Sequence, residues 1–503
     1  MRNTCDEESR RARWIAAALL LMGAVLRLAY IGALPYGLNQ DEASAGYEAW
    51  ALLMSGLDRC GKSWPVLFVS WGSGQNVLMS YLAMPFVALL GLSELSIRLP
   101  NAVFGVLTLP VFWRFARRCG GKGFGLLALG LLAVNPWHIM MSRWALESNL
   151  LPFFLMTGIW LTALAREKPA ALPGAAAAFG LALYAYGTAF FFLPLFLVGA
   201  VIWLRKELRP GWFCASLALF LVLALPIALC QLINVLRLPE LRLLGLTLPR
   251  LTESRQAATS VFGGGSAAEN FRSFLHIIRS GNDGLNYNAL PLRQGGIAYF
   301  FGLPTAALGA IYSLLQRKRR PEEAPMRLAL LCGLVCAALI RGNINRLNFL
   351  WLPMVYCSAL GLWAVLRRLG RWAALPLAGI VLCAALFLSA YMQTFGGAGA
   401  AAYFPGLGEA VAAAQRLDEG TIYITDWVNQ PYIFSLFYTE ASPTDFADSV
   451  EYADAAAAFR RVQRWNGFEF ADPERAELLI LHRSEAGGRE VLAAAGRFVV
   501  CRR

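Results

Sequence analysis

Long apolar runs separated by short polar loops divide most of the chain. Eleven of them stand out, at residues 14–34, 99–115, 124–141, 150–165, 172–186, 189–204, 213–236, 297–315, 328–340, 347–366 and 372–392. None shows the strict alternation of a barrel strand, and many approach the roughly 20 residues that a helix needs to cross about 30 Å of hydrocarbon. Lipid offers no hydrogen bonds to free backbone groups, so each run predicts a helix that satisfies its own N–H and C=O groups. A further run, residues 77–92, carries Pro85. At about 1.5 Å per residue it reaches only about 24 Å.

The charge of the loops decides how that run is placed. If it does not cross, Arg117, Arg118 and Lys122 share one side with Arg166 and Lys168, with Arg205, Lys206 and Arg209, with the basic stretch 317–320, and with Arg367, Arg368 and Arg371. If it crosses, all five loops move outside, against the tendency of Lys and Arg to stay in the cytoplasm. Residues 77–92 are therefore expected to form an interfacial or re-entrant helix. The segments 35–98, 142–149, 237–296 and 341–346 then lie together on the outer side. From about residue 396 the pattern changes. Strand-like stretches at 421–425 and 477–481 and an amphipathic helix at 407–416 predict a small α/β domain over 396–503, outside the membrane, after a membrane domain over 1–395. No internal repeat of the inverted-transporter type is visible.

Composition agrees with a bilayer as solvent: 57% of residues are hydrophobic and 15% charged, with a mean hydropathy of +0.51. The formal charge of +13 sits largely in the short loops. It is accounted for by topology, and nucleic acid is excluded as a partner. The ten cysteines are scattered, and Cys214, Cys230, Cys332, Cys336, Cys357 and Cys383 fall within apolar runs as small buried hydrophobes. The first apolar run follows Arg10, Arg11 and Arg13 and is too long for a signal-peptide core, so it reads as a retained anchor. The expectation is a multi-pass protein of the plasma membrane with its working face outside.

Candidate chemistry gathers on that outer side. The first outer loop reads LPYGLNQDEASAGYEAW, with adjacent Asp41 and Glu42. On a helix Asp41, Ala45 and Glu48 share a face while Glu42 points roughly 100° away, so one acid can face the site and the other cannot. A carboxylate there can take a proton from a hydroxyl or ligate a divalent cation. The competing reading is an acidic start to a surface helix, favoured by the helix dipole.

In the second segment, NPWHIMMSRWALESN, Arg143 and Glu147 stand four apart and can pair on a helical face. Arg143, or Arg341 and Arg346 in IRGNINRLNFLW, can grip a lipid phosphate through the guanidinium fork. Arginines also serve as interfacial anchors. Arg27 lies inside the first span, where a charge needs a partner: an acid, a lipid phosphate, or the outer interface. Gln75 and Asn76 follow Trp71, Gly72, Ser73 and Gly74 in a polar stretch that offers amide groups to sugar hydroxyls, or forms a plain surface turn. With Glu147 and Asn149 they are candidates to support substrate or a cation. The histidines at 138, 276 and 482 are too dispersed to suggest a metal site.

Taken in order, LRLAYIG at the end of the first run, Asp41–Glu42, LSIRLPNAVFG, NPWH with SRWALESN, and YAYGT from residue 184 resemble the GT-C superfamily of membrane glycosyltransferases. The resemblance is to the family 39 group of protein O-mannosyltransferases and lipid A aminoarabinose transferases, over roughly the first 370 residues. It implies inverting transfer of a sugar from a polyprenyl-phosphate carrier to an extracytoplasmic acceptor (glycan, lipid or protein). Asp41 is then the base, and Glu42 and Glu147 lie near the donor phosphate or a divalent cation held with Asp41. The proline-rich stretch of many relatives is replaced here by WGSGQNVL, so sugar and acceptor do not carry over. A transporter or flippase of lipid-linked substrates would place ionisable groups at mid-membrane on several helices, whereas Arg27 stands nearly alone. A non-catalytic assembly protein on the same scaffold would share the sequence pattern.

Overall fold

The computed structural model describes residues 2–71, 73–252, 266–283, 301–315, 321–397, 401–417, 420–455, 457 and 460–503. Gly72, the basic stretch 317–320 and residues 297–300 of one expected span lie outside them. The protein is predominantly helical. Among the described residues, Glu94–Ala133, Glu147–Ala165, Pro210–Leu236 and Asn348–Phe395 are long and apolar enough to cross a membrane, and Leu78–Leu90, Pro169–Ala185, Ala189–Leu204 and Gly302–Leu315 are shorter apolar helices. Leu221, Val222, Leu225 and Val235 of Pro210–Leu236, and Val381 and Leu382 further on, leave more than half of their surface uncovered by protein. That is the pattern of helices facing lipid.

The first helix, α1 (Arg2–Leu28), stops earlier than the hydrophobic pattern suggests, just before Tyr30 takes a left-handed φ of 54°. Two expected spans form the arms of α4 (Glu94–Ala133), broken at Gly121, whose φ of 85° a side chain would resist. The second arm ends at Ala133 and not at residue 141. Asn135 caps a new short helix, α5 (Pro136–Ser142), by accepting from the His138 N–H, and Pro136 has no N–H to continue the old one. The helices Gly302–Leu315 and Asn348–Leu369 cross on glycine. A Cβ on Gly309 would fall 1.8 Å from the Cys357 carbonyl oxygen, and one on Gly361 2.0 Å from that of Thr305.

Helix α3 (Leu78–Leu90) covers the interfacial run. Its 13 residues span about 20 Å, short of the bilayer core. It packs on α2 (Gln40–Ser55), where the Ser80 hydroxyl donates to the Ala45 carbonyl at 2.8 Å. Ahead of it, β1 (Leu67–Ser70) and β2 (Ser73–Asn76) pair as an antiparallel hairpin.

Toward the C-terminus, a seven-stranded sheet runs through residues 422–502. The strand-like stretches appear as Ile422–Ile424 and Leu478–His482, paired in parallel at its centre, and helix Leu407–Leu417 packs on the sheet. This part sits on Tyr36 and on helix α2. Tyr47 Oη donates to the Ala441 carbonyl at 3.1 Å, Trp50 Nε1 to that of Glu440 at 3.2 Å, and Tyr36 Oη to Glu409 Oε1 at 3.0 Å. Gly46 of α2 is tightly packed there, since a Cβ would meet the Phe437 ring at 2.7 Å and Ile97 at 2.8 Å.

Candidate active site

Helix α2 begins with a capping box. Asn39 Oδ1 accepts from the backbone N–H groups of Asp41 at 2.9 Å and Glu42 at 3.0 Å, and Glu42 Oε2 accepts from Asn39 N–H at 3.3 Å. This fixes the helical phase and sends the adjacent acids different ways. Glu42 turns inward and is fully buried against α4. Its Oε1 accepts from Arg98 Nε at 2.8 Å and Ala145 N–H at 3.0 Å, and its Oε2 from Arg98 Nη2 at 3.0 Å. The remaining guanidinium N–H groups reach the carbonyls of Ile31, Pro35 and Gly37. Arg98 thus joins the end of α1, the start of α2 and the head of α4 around one fully buried ion pair. Sequence reasoning missed Arg98 as a functional residue, although a lone charge at the head of an apolar run was the available signal.

Asp41 is half-buried and shares its helix face with Ser44 and Glu48, one and two turns on. That face meets the hairpin. Ser44 Oγ donates to Gln75 Oε1 at 3.0 Å and accepts from Arg59 Nη1 at 2.8 Å. Arg59 Nη2 reaches Ser70 Oγ at 2.8 Å, and its Nε stands 3.2 Å from Glu48 Oε1. Burial pushes the Glu48 carboxyl up to about 7, while the Arg59 charge pulls it the other way. The neighbouring Asn76 N–H donates to Glu147 Oε2, and Asn76 Nδ2 to the Leu183 carbonyl at 3.3 Å. Gln75, Asn76 and Glu147, read separately from the sequence, therefore come together beside the Asp41 face of α2.

The turn carrying Glu147 is held from two sides. Asn101 Nδ2 of α4 donates to the carbonyls of Trp144 at 2.6 Å and Leu146 at 2.9 Å, and Asn149 Nδ2 to that of Trp144 at 3.1 Å. Asn348 Nδ2 reaches the Ser148 carbonyl at 2.9 Å, and its Oδ1 accepts from Trp137 Nε1 at 3.1 Å. These bonds draw the loop that bears Arg341 and Arg346 to the same end of the bundle. Arg341 is exposed and Arg346 half-buried, with Arg346 Nη1 donating to the Arg341 carbonyl at 3.1 Å.

Two expected arginine roles change. Arg143 and Glu147 do not share a helical face, because α5 ends at Ser142 and Glu147 opens a separate 3₁₀ turn. Arg143 is buried over the Tyr391 ring, and its Nη groups donate to the carbonyls of Leu26 at 3.2 Å and Leu34 at 3.1 Å. Arg27 uses all five of its N–H groups within the protein, on the Gly23, Ala133 and Leu132 carbonyls and twice on His138 Nδ1. Both side chains splice α1 to its neighbours through backbone carbonyls. A cation shared by Asp41, Glu42 and Glu147 does not fit either. Both oxygens of Glu42 are taken up by Arg98, and no group of three His, Cys, Asp or Glu side chains among the described residues stands close enough to hold a metal.

Comparison with known proteins follows the same lines. Residues 75–229 match the family described as dolichyl-phosphate-mannose-protein mannosyltransferase. ArnT from Cupriavidus metallidurans, solved bound to undecaprenyl phosphate, aligns over 96% of this chain and 97% of its own at a TM-score of 0.57 and 13% identity. Its apo form gives 0.55 at 13% identity, over 98% of both chains. The archaeal oligosaccharyltransferase AglB from Archaeoglobus fulgidus, in complex with an inhibitory peptide and a dolichol-phosphate, aligns over 86% of this chain and 64% of its own at 0.51 and 15% identity. No curated protein sequence matches. At these identities the solved structures speak to fold alone, and together with the apolar helices they describe a multi-pass membrane protein of ArnT-like fold whose residues 75–229 are similar to the mannosyltransferase family.

Proposed function

We propose that the protein is an inverting glycosyltransferase that moves a sugar from a polyprenyl-phosphate carrier to an acceptor hydroxyl on the outer face of the plasma membrane. The observation that carries this reading is the division of labour at the start of α2. Glu42 is consumed by Arg98, and Asp41 stands on the face toward Gln75 and Glu147. The acceptor oxygen attacks the anomeric carbon, the bond from that carbon to the phosphate oxygen breaks, and the acceptor proton passes to the Asp41 carboxylate. The lipid phosphate leaves already ionised, so a base matters more than an acid. Gln75 and Asn76 lie where they can orient sugar hydroxyls, and the Arg341–Arg346 loop is the best remaining holder of the phosphate. The polyprenyl-phosphate ligands of the ArnT and AglB complexes favour that donor class.

The test is release of polyprenyl phosphate from a labelled polyprenyl-phosphate sugar by purified protein in nanodiscs. Release that depends on added acceptor supports transfer. Carrier movement across a bilayer without sugar release would sink the enzyme reading in favour of a flippase.

The reading includes about eleven spans, a membrane domain over 1–395, an outer domain over 396–503, and the active face outside. Ion pairs Arg118–Glu167 and Arg166–Glu207 join loops expected in the cytoplasm. A reporter fused after Lys122 should be cytoplasmic and one after Asn149 extracytoplasmic. An external reporter after Lys122 would invert the site.

A further inference from the structure

Past the Asp41 face lies a cavity of about 190 Å³, between the segment 59–71, residues 250–252 and the C-terminal part of the chain. Its basic lining is Arg59, Lys62, Arg250 and Arg460, and no acidic residue among the described residues lines it. Arg59 is compensated by Glu48, and Lys62 by Glu240. Arg250 and Arg460 are exposed and have no acidic partner among the described residues. Two cations that share a cavity without an anion raise its positive potential, and a desolvating anion relieves it. The other walls are aromatic. Trp71 carries the Arg59 guanidinium 5.3 Å from its ring centroid, and Tyr452 carries that of Arg460 at 5.6 Å. Flat rings beside guanidinium groups suit a sugar ring that bears a phosphate or carboxylate.

Arg59 also links this cavity to the chemistry. The same side chain that forms its floor bonds Ser44, one turn from Asp41 on the same face of α2.

We propose that this cavity is the acceptor subsite, and that it takes a saccharide carrying an anionic group, with Arg250 and Arg460 on the anion and Trp71 and Tyr452 against the ring. The assignment rests on the transferase reading above. The anion is held at the outer wall, which leaves a hydroxyl on the far side of the ring directed toward α2.

Binding can be measured apart from turnover, by calorimetry on the full-length protein in nanodiscs with glucose 1-phosphate, glucuronate, inorganic phosphate and glucose as probes. At least one anionic sugar is expected to bind about tenfold or more tighter than glucose and than inorganic phosphate. The pair Arg250→Gln and Arg460→Gln should erase that preference, and Arg250→Lys with Arg460→Lys should keep most of it. Equal affinity for glucose and both anionic sugars, no binding of any sugar, inorganic phosphate binding as tightly as the sugars, or an unchanged preference in the Gln pair would each overturn the proposal. So would displacement of the bound sugar by undecaprenyl phosphate, which would give the cavity to the donor. A protein that binds anionic sugars as expected but transfers nothing would count against the transferase reading alone.

Discussion

Asp41→Asn is expected to lower single-turnover sugar transfer by about 10²- to 10⁴-fold, the range that a positioned general base supplies, with donor affinity close to wild type. The change keeps the size of the side chain and the Asn39 cap, which binds the backbone of residue 41 and not its carboxylate. Loss of turnover would therefore report lost chemistry and not a lost helix. Parallel donor binding separates the two, because removal of a base leaves the phosphate contacts in place. Transfer at the wild-type rate would remove Asp41 from the mechanism. Glu147 would then be the next carboxylate to test, since Glu48 is engaged by Arg59.

The neighbouring residue should behave quite differently. Glu42→Gln and Arg98→Met each leave one half of a fully buried ion pair uncompensated, which costs on the order of 3–5 kcal/mol. Both variants are expected to melt well below wild type and to accumulate poorly in the membrane, whatever their residual activity. Thermal unfolding in detergent followed by tryptophan fluorescence reads this directly. A Glu42→Gln protein that melts like wild type yet transfers sugar slowly would place Glu42 in the chemistry and not in the frame. Two adjacent carboxylates are thus expected to give different signatures, one kinetic and one thermodynamic, because the capping box fixes the phase of α2 with the two about 100° apart.

Much of this was legible in the sequence where one periodicity or one charge pattern governs. The apolar runs, the short helix at 78–90 and the central strands of the C-terminal sheet follow from local hydrophobicity, which the chain carries residue by residue. The roughly 100° offset between Asp41 and Glu42 was also local, and it foretold that the two acids point different ways, Glu42 into the Arg98 pair and Asp41 away from it. Long-range partners were not legible. Arg98 reaches back 56 residues to Glu42, and Asn348 reaches back 200 residues to Ser148. Nothing in either stretch names the other. Arg27 and Arg143 show the same limit from the opposite direction. A buried arginine announces that it needs acceptors, yet backbone carbonyls satisfy it as well as a phosphate does, and only the fold decides which is near. The stop of α4 at Ala133 likewise depends on Asn135 and Pro136 acting together, a stop that hydropathy alone overruns.

The contact of Gly46 with Phe437 bears on how such a protein can be rebuilt by evolution or by hand. The helix bearing Asp41 is clasped between Ile97 on one side and the C-terminal helix Pro431–Tyr438 on the other, with no room for even a methyl group. On the proposed transferase reading, a seam for exchanging acceptor preference therefore lies beyond this clasp and not near residue 396. A graft cut near residue 396 would bring a foreign helix against Gly46 and tilt Asp41. One that keeps Pro431–Tyr438 and replaces the sheet and loops beyond it would leave the acid where it is and recast only the pocket wall. On the transferase reading, recruitment of new acceptors is thus channelled through residues 439–503, with the clasp itself as the inherited constant.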